Sequence, residues 1–313
     1  MKIIWHGHSS FTISFSDIKI IIDPFLSGNP NFGNQNMDEI TSELTHIALT
    51  HGHNDHVGDT VDLAKKTSAE VIANADLCSY LATKGLNKFN QGNTGGTIVY
   101  DKFSVTFVQA HHSSSTVDEN GISHSLGFSN GLVFHIKNEK TVYHMGDTDI
   151  FGDMQLIEEL HKPDIGLVPI GDRFTMGGAV AALSCKRYFN FSSIIPCHFG
   201  TFPLIDSNAD KFLKSMDEDV SKVRVLSVGE ELIMNYNIAN ITEKDKMMLQ
   251  FSEKLTLYSH KIEDDDRDVL RKAGFSDEDI WDIISVVGFF NMSNRIASGT
   301  KMIPNKEYHS AGR

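Results

Sequence analysis

The decapeptide THGHNDHVGD, Thr50 to Asp59, sets three histidines and an aspartate (His51, His53, Asp55, His56) within six residues. Before it stands HIALT (His46 to Thr50), a short apolar run with the length of a buried strand. After it, Asp59 with Asp62 three residues on marks a helix start for VDLAKKT. The local layout is therefore strand, ligand-rich loop, helix. One histidine alone is ordinarily a surface or hydrogen-bonded core residue. The order H-x-H-x-D-H at a strand end is metal-site behaviour, because imidazole nitrogens with carboxylate oxygens suit zinc, iron or manganese, whereas calcium and magnesium take oxygen cages. Four side chains so close in sequence do not easily surround one ion, so two adjacent ions with alternating ligands are the economical arrangement. Such a site needs more ligands from distant strand ends. The chain offers His112 in AHHSSS, Asp147 in HMGDTD and His198 in PCHFG, each after an apolar strand and before a Gly or Ser turn.

Working outward, KIIWHG, SFTISFS and IKIIIDPF read as successive strands with period-2 patterning. VIANA precedes a helix near Leu77 to Thr83. SVTFVQA, LGFSN and LVFHIKN follow as strands, then TVYHMGD with the helix MQLIEELHK. DIGLVPIGD leads to a helix from about Thr175 to Phe189, and SSIIPCHFG and VRVLSVGEEL close the series. Strands in direct succession mixed with helices predict an α/β domain of helix-covered sheets. From about Thr242 the pattern is helical alone. Ile280, Ile283, Ile284 and Val287 fall at i, i+3, i+4, i+7 behind a Ser276/Asp279 capping box. The expected division is 1–240 and a helical segment, 241–313.

The 313 residues are 40% hydrophobic, enough for a substantial core. A formal charge of −13 argues against a nucleic acid as partner, since phosphate-backbone binding relies on clustered Lys and Arg. Cys78, Cys185 and Cys197 are far apart and odd in number, which suits a reduced interior. The N-terminus MKIIWHGHSS fails as a signal peptide and no apolar run has bilayer-spanning length, so the expected compartment is the cytoplasm, with no membrane partner.

HGHSSF, IDPFLSGNP, LTHGHNDHVGDTV, HSSS, GDT at Asp147, PIGDRFTMG and PCHFGTFP, in this order and spacing over roughly residues 1 to 235, resemble the metallo-β-lactamase superfamily. Within it they are most similar to a family of metal-dependent hydrolases near the ascorbate-6-phosphate lactonases. The resemblance implies an αββα sandwich with metals at one edge. It implies that His51, His53 and His112 hold one metal, that Asp55, His56 and His198 hold the other, and that Asp147 bridges them. The implied cofactor is a pair of divalent ions, zinc first, with manganese or iron as alternatives. Asp55 and Asp147 would serve catalysis as well. A hydroxide shared by two cations about 3.5–4 Å apart would attack an ester, lactone or phosphodiester bond of a small molecule. His112, not His111, aligns with the histidine that opens HSSS. Cys197 adjoins His198, but alternation along a strand keeps both from one metal. Phe199 stands where relatives often carry tyrosine, and Gly177-Gly178-Ala179 lacks the proline and acidic residue often found after TMG. His6, His8 and Asp23 sit in these motifs with supporting or structural roles expected.

The last 60 or so residues, AGFSDEDI and FFNMSNRIA above all, are similar to the closing helices of alkylhydroperoxidase and carboxymuconolactone decarboxylase proteins. No C-x-x-C occurs, so the similarity implies helical architecture and homo-oligomer formation without peroxidase chemistry. Rival functions weigh less. An oxidoreductase of diiron flavoprotein type usually has glutamate where His53 stands, a nuclease wants a basic channel, and a scaffold with structural metal needs only four ligands.

Overall fold

The computed structural model describes residues 1–233 and 242–300. Contacts divide the chain into two compact units, Met1–Met234 and Asn235–Arg313. The boundary expected near residue 240 falls outside the described residues.

The first unit is built on two sheets. One has the order β15-β1-β2-β3-β4-β5-β6, from β1 (Lys2–Gly7), β2 (Ser10–Phe15), β3 (Ile18–Ile22), β4 (His46–Ala48), β5 (Glu70–Asn74), β6 (Phe89–Gly92) and β15 (Glu231–Ile233). The other runs β14-β13-β12-β11-β8-β7, from β7 (Thr97–Val99), β8 (Phe103–Gln109), β11 (Asn130–Ile136), β12 (Val142–His144), β13 (Ile165–Pro169) and β14 (Ser193–Cys197). A small hairpin, β9 (Ser115–Val117) with β10 (Ser123–Ser125), stands apart. Seven helices accompany them: α1 (Met37–Thr41), α2 (Asn54–Val57), α3 (Thr60–Thr67), α4 (Ala75–Thr83), α5 (Met154–His161), α6 (Gly178–Tyr188) and α7 (Asp210–Met216). This is the α/β metallo-β-lactamase architecture.

Burial on both faces explains the apolar runs. Ile21, Ile47, Val71 and Ala73 pack with Leu63, Leu77 and Leu81 from the covering helices α3 and α4. Their alternates Ile20, Ile22, Ala48 and Ile72 are fully buried too. Pairing also fixes direction. β3, β4 and β5 are parallel, β12, β13 and β14 are parallel, and β1 and β8 join these sets through antiparallel neighbours. The segments after β1, β3, β4, β8, β12, β13 and β14 all leave carboxyl ends of strands. That is where open α/β sheets present their ligands.

LGFSN is not a separate strand, since residues 126–129 form the loop that leads into β11 at Asn130, and of VRVLSVGEEL only Glu231 and Leu232 enter a strand, β15. Three further local readings differ from the structure for identifiable reasons. The ligand-rich loop contains its own one-turn helix, α2, before α3. Asp59 stands at the N-cap of α3 but makes no capping bond. Its carboxylate instead accepts from Leu26 N, Ser27 N and Ser27 Oγ, tying the loop after β3 to the loop after β4. α6 starts at Gly178 and not near Thr175, because residues 171–177 close into a tight loop through a Gly171–Gly177 bridge.

The second unit holds α8 (Glu243–Leu257), α9 (Asp264–Lys272) and α10 (Asp277–Thr300). Phe251, Leu270 and Ile280 form its small core. The Ser276/Asp279 capping box is present: Asp279 N donates to Ser276 Oγ at 3.1 Å and Ser276 N to Asp279 Oδ2 at 2.8 Å. Among the described residues no helix is long and apolar enough to cross a membrane.

Gly58, between α2 and α3, has φ +41, and a Cβ there would stand 2.3 Å from Pro24 O and 2.6 Å from Phe25 Cα. Backbone cannot swing aside as a side chain does. Gly58→Ala is expected to destabilise the first unit by about 3 kcal/mol or more. Urea unfolding followed by Trp5 fluorescence in a Trp281→Phe background checks this.

Candidate metal centre

Each candidate residue follows a strand, and the turn geometry aims it. β3 ends at Ile22 and Asp23 adopts φ 46, a left-handed conformation that swings its carboxylate under the next loop. Thr50 N donates to Asp23 Oδ1 at 2.8 Å and Thr50 Oγ1 to Oδ2 at 2.6 Å. His56 Nδ1 lies 2.8 Å from Asp23 Oδ2, and His51 Nδ1 lies 3.0 Å from Thr50 Oγ1. These partners require the Nδ1–H tautomer of both rings and leave each Nε2 lone pair facing the centre.

The side chains gather into groups whose donor atoms lie within 4.8 Å of one another. His51, His53 and His112 form one. His53 Nδ1 stands 2.9 Å from His51 Nε2 and 3.2 Å from His112 Nε2. Asp55, His56 and His198 form another, and His8 joins them. Asp147 lies between: its Oδ1 is 3.3 Å from His56 Nε2, and its Oδ2 is 3.1 Å from His198 Nε2 and 3.6 Å from His112 Nε2. All seven residues expected as ligands therefore meet at one place.

This centre is unsatisfied by protein alone. His56 Nε2, His198 Nε2 and Asp147 Oδ1 are buried atoms without a hydrogen-bond partner. Orphaned buried polar atoms are costly, each by about 1–3 kcal/mol. Facing nitrogens and oxygens with nothing between them are the donor set of a divalent cation. The spacings are near the ~3.3 Å between neighbouring ligands of a tetrahedral ion with bonds of about 2.0–2.1 Å. The charges agree. Burial opposes a charge on Asp147, but His198 and His56 hold its pKa well below the ordinary carboxylate value. Burial likewise works against protonation of His56, yet Asp147 and Asp23 push its pKa well above normal. Burial lowers His51 well below its usual value, with His56 adding to the effect. The pocket thus wants one or more positive charges at its middle.

Three supporting residues carry more of the geometry than the sequence suggested. His8, at φ 51 in the β1–β2 turn, brings Nε2 to 3.1 Å from Asp55 Oδ2, with Nδ1 3.0 Å from Thr201 Oγ1. Burial pushes its pKa down to about 4. His144 accepts from Gly146 N at 3.0 Å through Nδ1 and reaches Ser9 O at 2.9 Å through Nε2, so it shapes the turn that carries Asp147. Asp23 is the third, through its bonds to Thr50 and His56. A legible signal existed for Asp23 and His8, a polar residue at the end of an apolar strand within a motif; nothing in TVYHMGD singled out His144. His6 is buried away from the donor groups, between Gln35 and Thr12. His111 stacks on Phe151 at 4.5 Å and bonds Gln109, outside the donor groups. The Cys197 thiol is buried, and that burial raises its pKa well above the free value. Phe199 stacks on Trp5 at 5.3 Å.

Two facing sheets with helices outside, and a histidine-aspartate cluster where strand ends converge, define a metal-dependent hydrolase of the metallo-β-lactamase fold. A domain description of the beta-lactamase superfamily matches residues 19–199, and the chain belongs to that superfamily. It is 57% identical over 232 residues to a UPF0173 metal-dependent hydrolase of Agrobacterium fabrum, covering 74% of this chain and 99% of the relative. A UPF0173 metal-dependent hydrolase of Brucella abortus is 58% identical, over 71% of this chain and 94% of that one. About a quarter of this chain has no counterpart in such relatives. Among solved structures, the metallo hydrolase Igni18 of Ignicoccus hospitalis superposes with a TM-score of 0.66 at 29% identity, over 74% of this chain and 97% of that one.

Asp23→Asn leaves the size unchanged but gives the site an amide where Thr50 and His56 need a full acceptor. Its metal affinity is expected to fall 10–100-fold in chelator competition. His111→Ala is expected to leave that affinity within twofold of the native value.

Proposed function

We propose that this chain is a dinuclear hydrolase of small ester, lactone or phosphodiester substrates, with His51, His53 and His112 on one ion, Asp55, His56 and His198 on the second, and Asp147 between them. The observation that carries this reading is the position of Asp147, whose two oxygens face His56 on one side and His198 and His112 on the other. Zinc is the first choice of ion, with manganese and iron next, since nitrogen-oxygen donor sets accept all three.

Two bound cations would supply an acidified water and polarise the substrate carbonyl or phosphoryl group. The chain's own part is positioning. Asp23 and Thr50 hold two imidazoles in the tautomer that offers Nε2 inward. The Asp55 carboxylate is steadied by His8 and lies beside His56 and His198, where it can orient a proton on a nucleophile. Phe25 and Phe202 close around His8, with ring centroids 5.8 and 5.3 Å away, and keep water from that side. The substrate is a small molecule, and the cytoplasm is the compartment consistent with three unpaired cysteines.

For the helical unit we propose self-association. On α10, Trp281, Phe289, Phe290 and Met292 are 70, 60, 58 and 54% exposed. Trp281, Phe289 and Met292 fall on one side of the helix at 100° per residue, and such side chains bury roughly 150–250 Å² each when aromatic, an apolar patch that a second helix can cover. A twofold contact uses one face twice, so a second copy of this chain fits it. A protein ending near Asn240 should keep its metals and show fewer chains per particle by light scattering than the full chain; an unchanged number of chains per particle would refute self-association through these helices.

After reconstitution, elemental analysis should find close to two transition ions per chain. Asp147→Asn should hold one ion or fewer, keep its circular dichroism spectrum, and lose at least about 100-fold in hydrolysis of whichever ester, lactone or phosphodiester the native protein cleaves best. No metal bound after reconstitution with zinc, manganese and iron would sink the reading.

A further inference from the structure

Six segments leave the strand ends around the metal centre: residues 23–36, 49–59, 110–129, 145–153, 170–177 and 198–209. All lie among the described residues. They carry one lysine or arginine between them, Arg173. The same segments hold several aspartates, so a cation here stands against the local trend.

Arg173 is also held in an uncommon backbone. Asp172 and Arg173 are consecutive non-glycine residues at φ 62 and φ 53. Left-handed conformations are costly for side chains with a Cβ, asparagine and aspartate being the usual exceptions, and they persist where the surroundings over-determine them. Here they do. Asp172 Oδ1 accepts from Arg173 N at 2.8 Å, Asp172 N donates to Met176 O at 3.1 Å, and Met176 N donates to Thr148 O at 3.0 Å, next to Asp147. At the other end, Gly171 packs so closely on His198 that a Cβ would stand 3.0 Å from its Nδ1 and closer still to its carbonyl. Both feet of the loop rest on residues of the metal centre or their neighbours. Two residues span at most about 7 Å, so the Arg173 backbone stays within that distance of Gly171. The guanidinium is exposed and lies 5.9 Å from the Phe174 ring, and it enters none of the ion pairs among the described residues. A planar fork of five donors that binds no protein carboxylate is free for a ligand.

We propose that Arg173 receives a second anionic group of the substrate, a carboxylate or phosphate a few bonds from the one cleaved. This rests on the hydrolase reading of the metal centre and adds its substrate class: small molecules with an anionic tail. The strained loop fixes the Arg173 backbone beside the centre, and the reach of its side chain from that point bounds the tail length.

The test compares two unreactive probes on the full-length, metal-loaded protein by titration calorimetry: butyrate, with one carboxylate, and glutarate, with two. The native protein should bind glutarate at least tenfold more tightly than butyrate. In Arg173→Ala that ratio should fall to near one with butyrate affinity unchanged, and Arg173→Lys should retain part of it. An unchanged ratio in Arg173→Ala would mean that both carboxylates go to the ions, which overturns the proposal. Glutarate binding no tighter than butyrate in the native protein, as the acidic loops alone would produce, overturns it as well. The hydrolase reading fails separately, by absent metal or absent turnover, since the probe ratio needs no reaction.

Discussion

The carboxylate of Asp23 is the constraint on which the metal centre depends. It is fully buried, and it takes hydrogen bonds from the Thr50 amide, the Thr50 hydroxyl and the His56 ring. Through Thr50 it reaches His51. One side chain thereby sets the tautomer of two proposed ligands, and it locks the end of β3 to the end of β4. The left-handed turn at Asp23 has counterparts at His8 and His198, both at positive φ. Strain at three points of one site implies compensation elsewhere, here from strands buried on both faces.

The second organising fact is direction. Parallel pairing within β3–β5 and within β12–β14 brings chain segments more than a hundred residues apart to one edge. His198 N donates to His8 O at 3.0 Å and Asn130 N to Thr50 O at 3.0 Å, so the loops are stitched across the two sheets at the level of the donor groups. The cluster is then a product of topology as much as of local sequence.

Much of this was legible in the residues. HIALT before the histidines reads as a strand, and His46–Ala48 within it is one, with Ile47 and Ala48 both buried. The convergence of His112, Asp147 and His198 on the first motif follows from their shared position after strands. What could not be read is where polar groups form bonds across the fold. Asp59 has the sequence of a helix cap yet spends its carboxylate on Ser27 and Leu26, a choice made by the neighbouring loop. His144 looks like one more residue of a buried strand, and its role at the Asp147 turn appears only with Ser9 beside it. Arg173 lay inside a recognised motif, but its isolation as a cation emerges only when the strand-end segments are known to share an edge.

The central claim is that two divalent ions occupy the converged histidine and aspartate side chains, with Asp147 between them. Anomalous diffraction at the zinc or manganese edge from crystals of the reconstituted protein tests it most directly. The account predicts two peaks about 3.5–4 Å apart, one among His51, His53 and His112 and one among Asp55, His56 and His198. A single peak, or peaks away from Asp147, would contradict it.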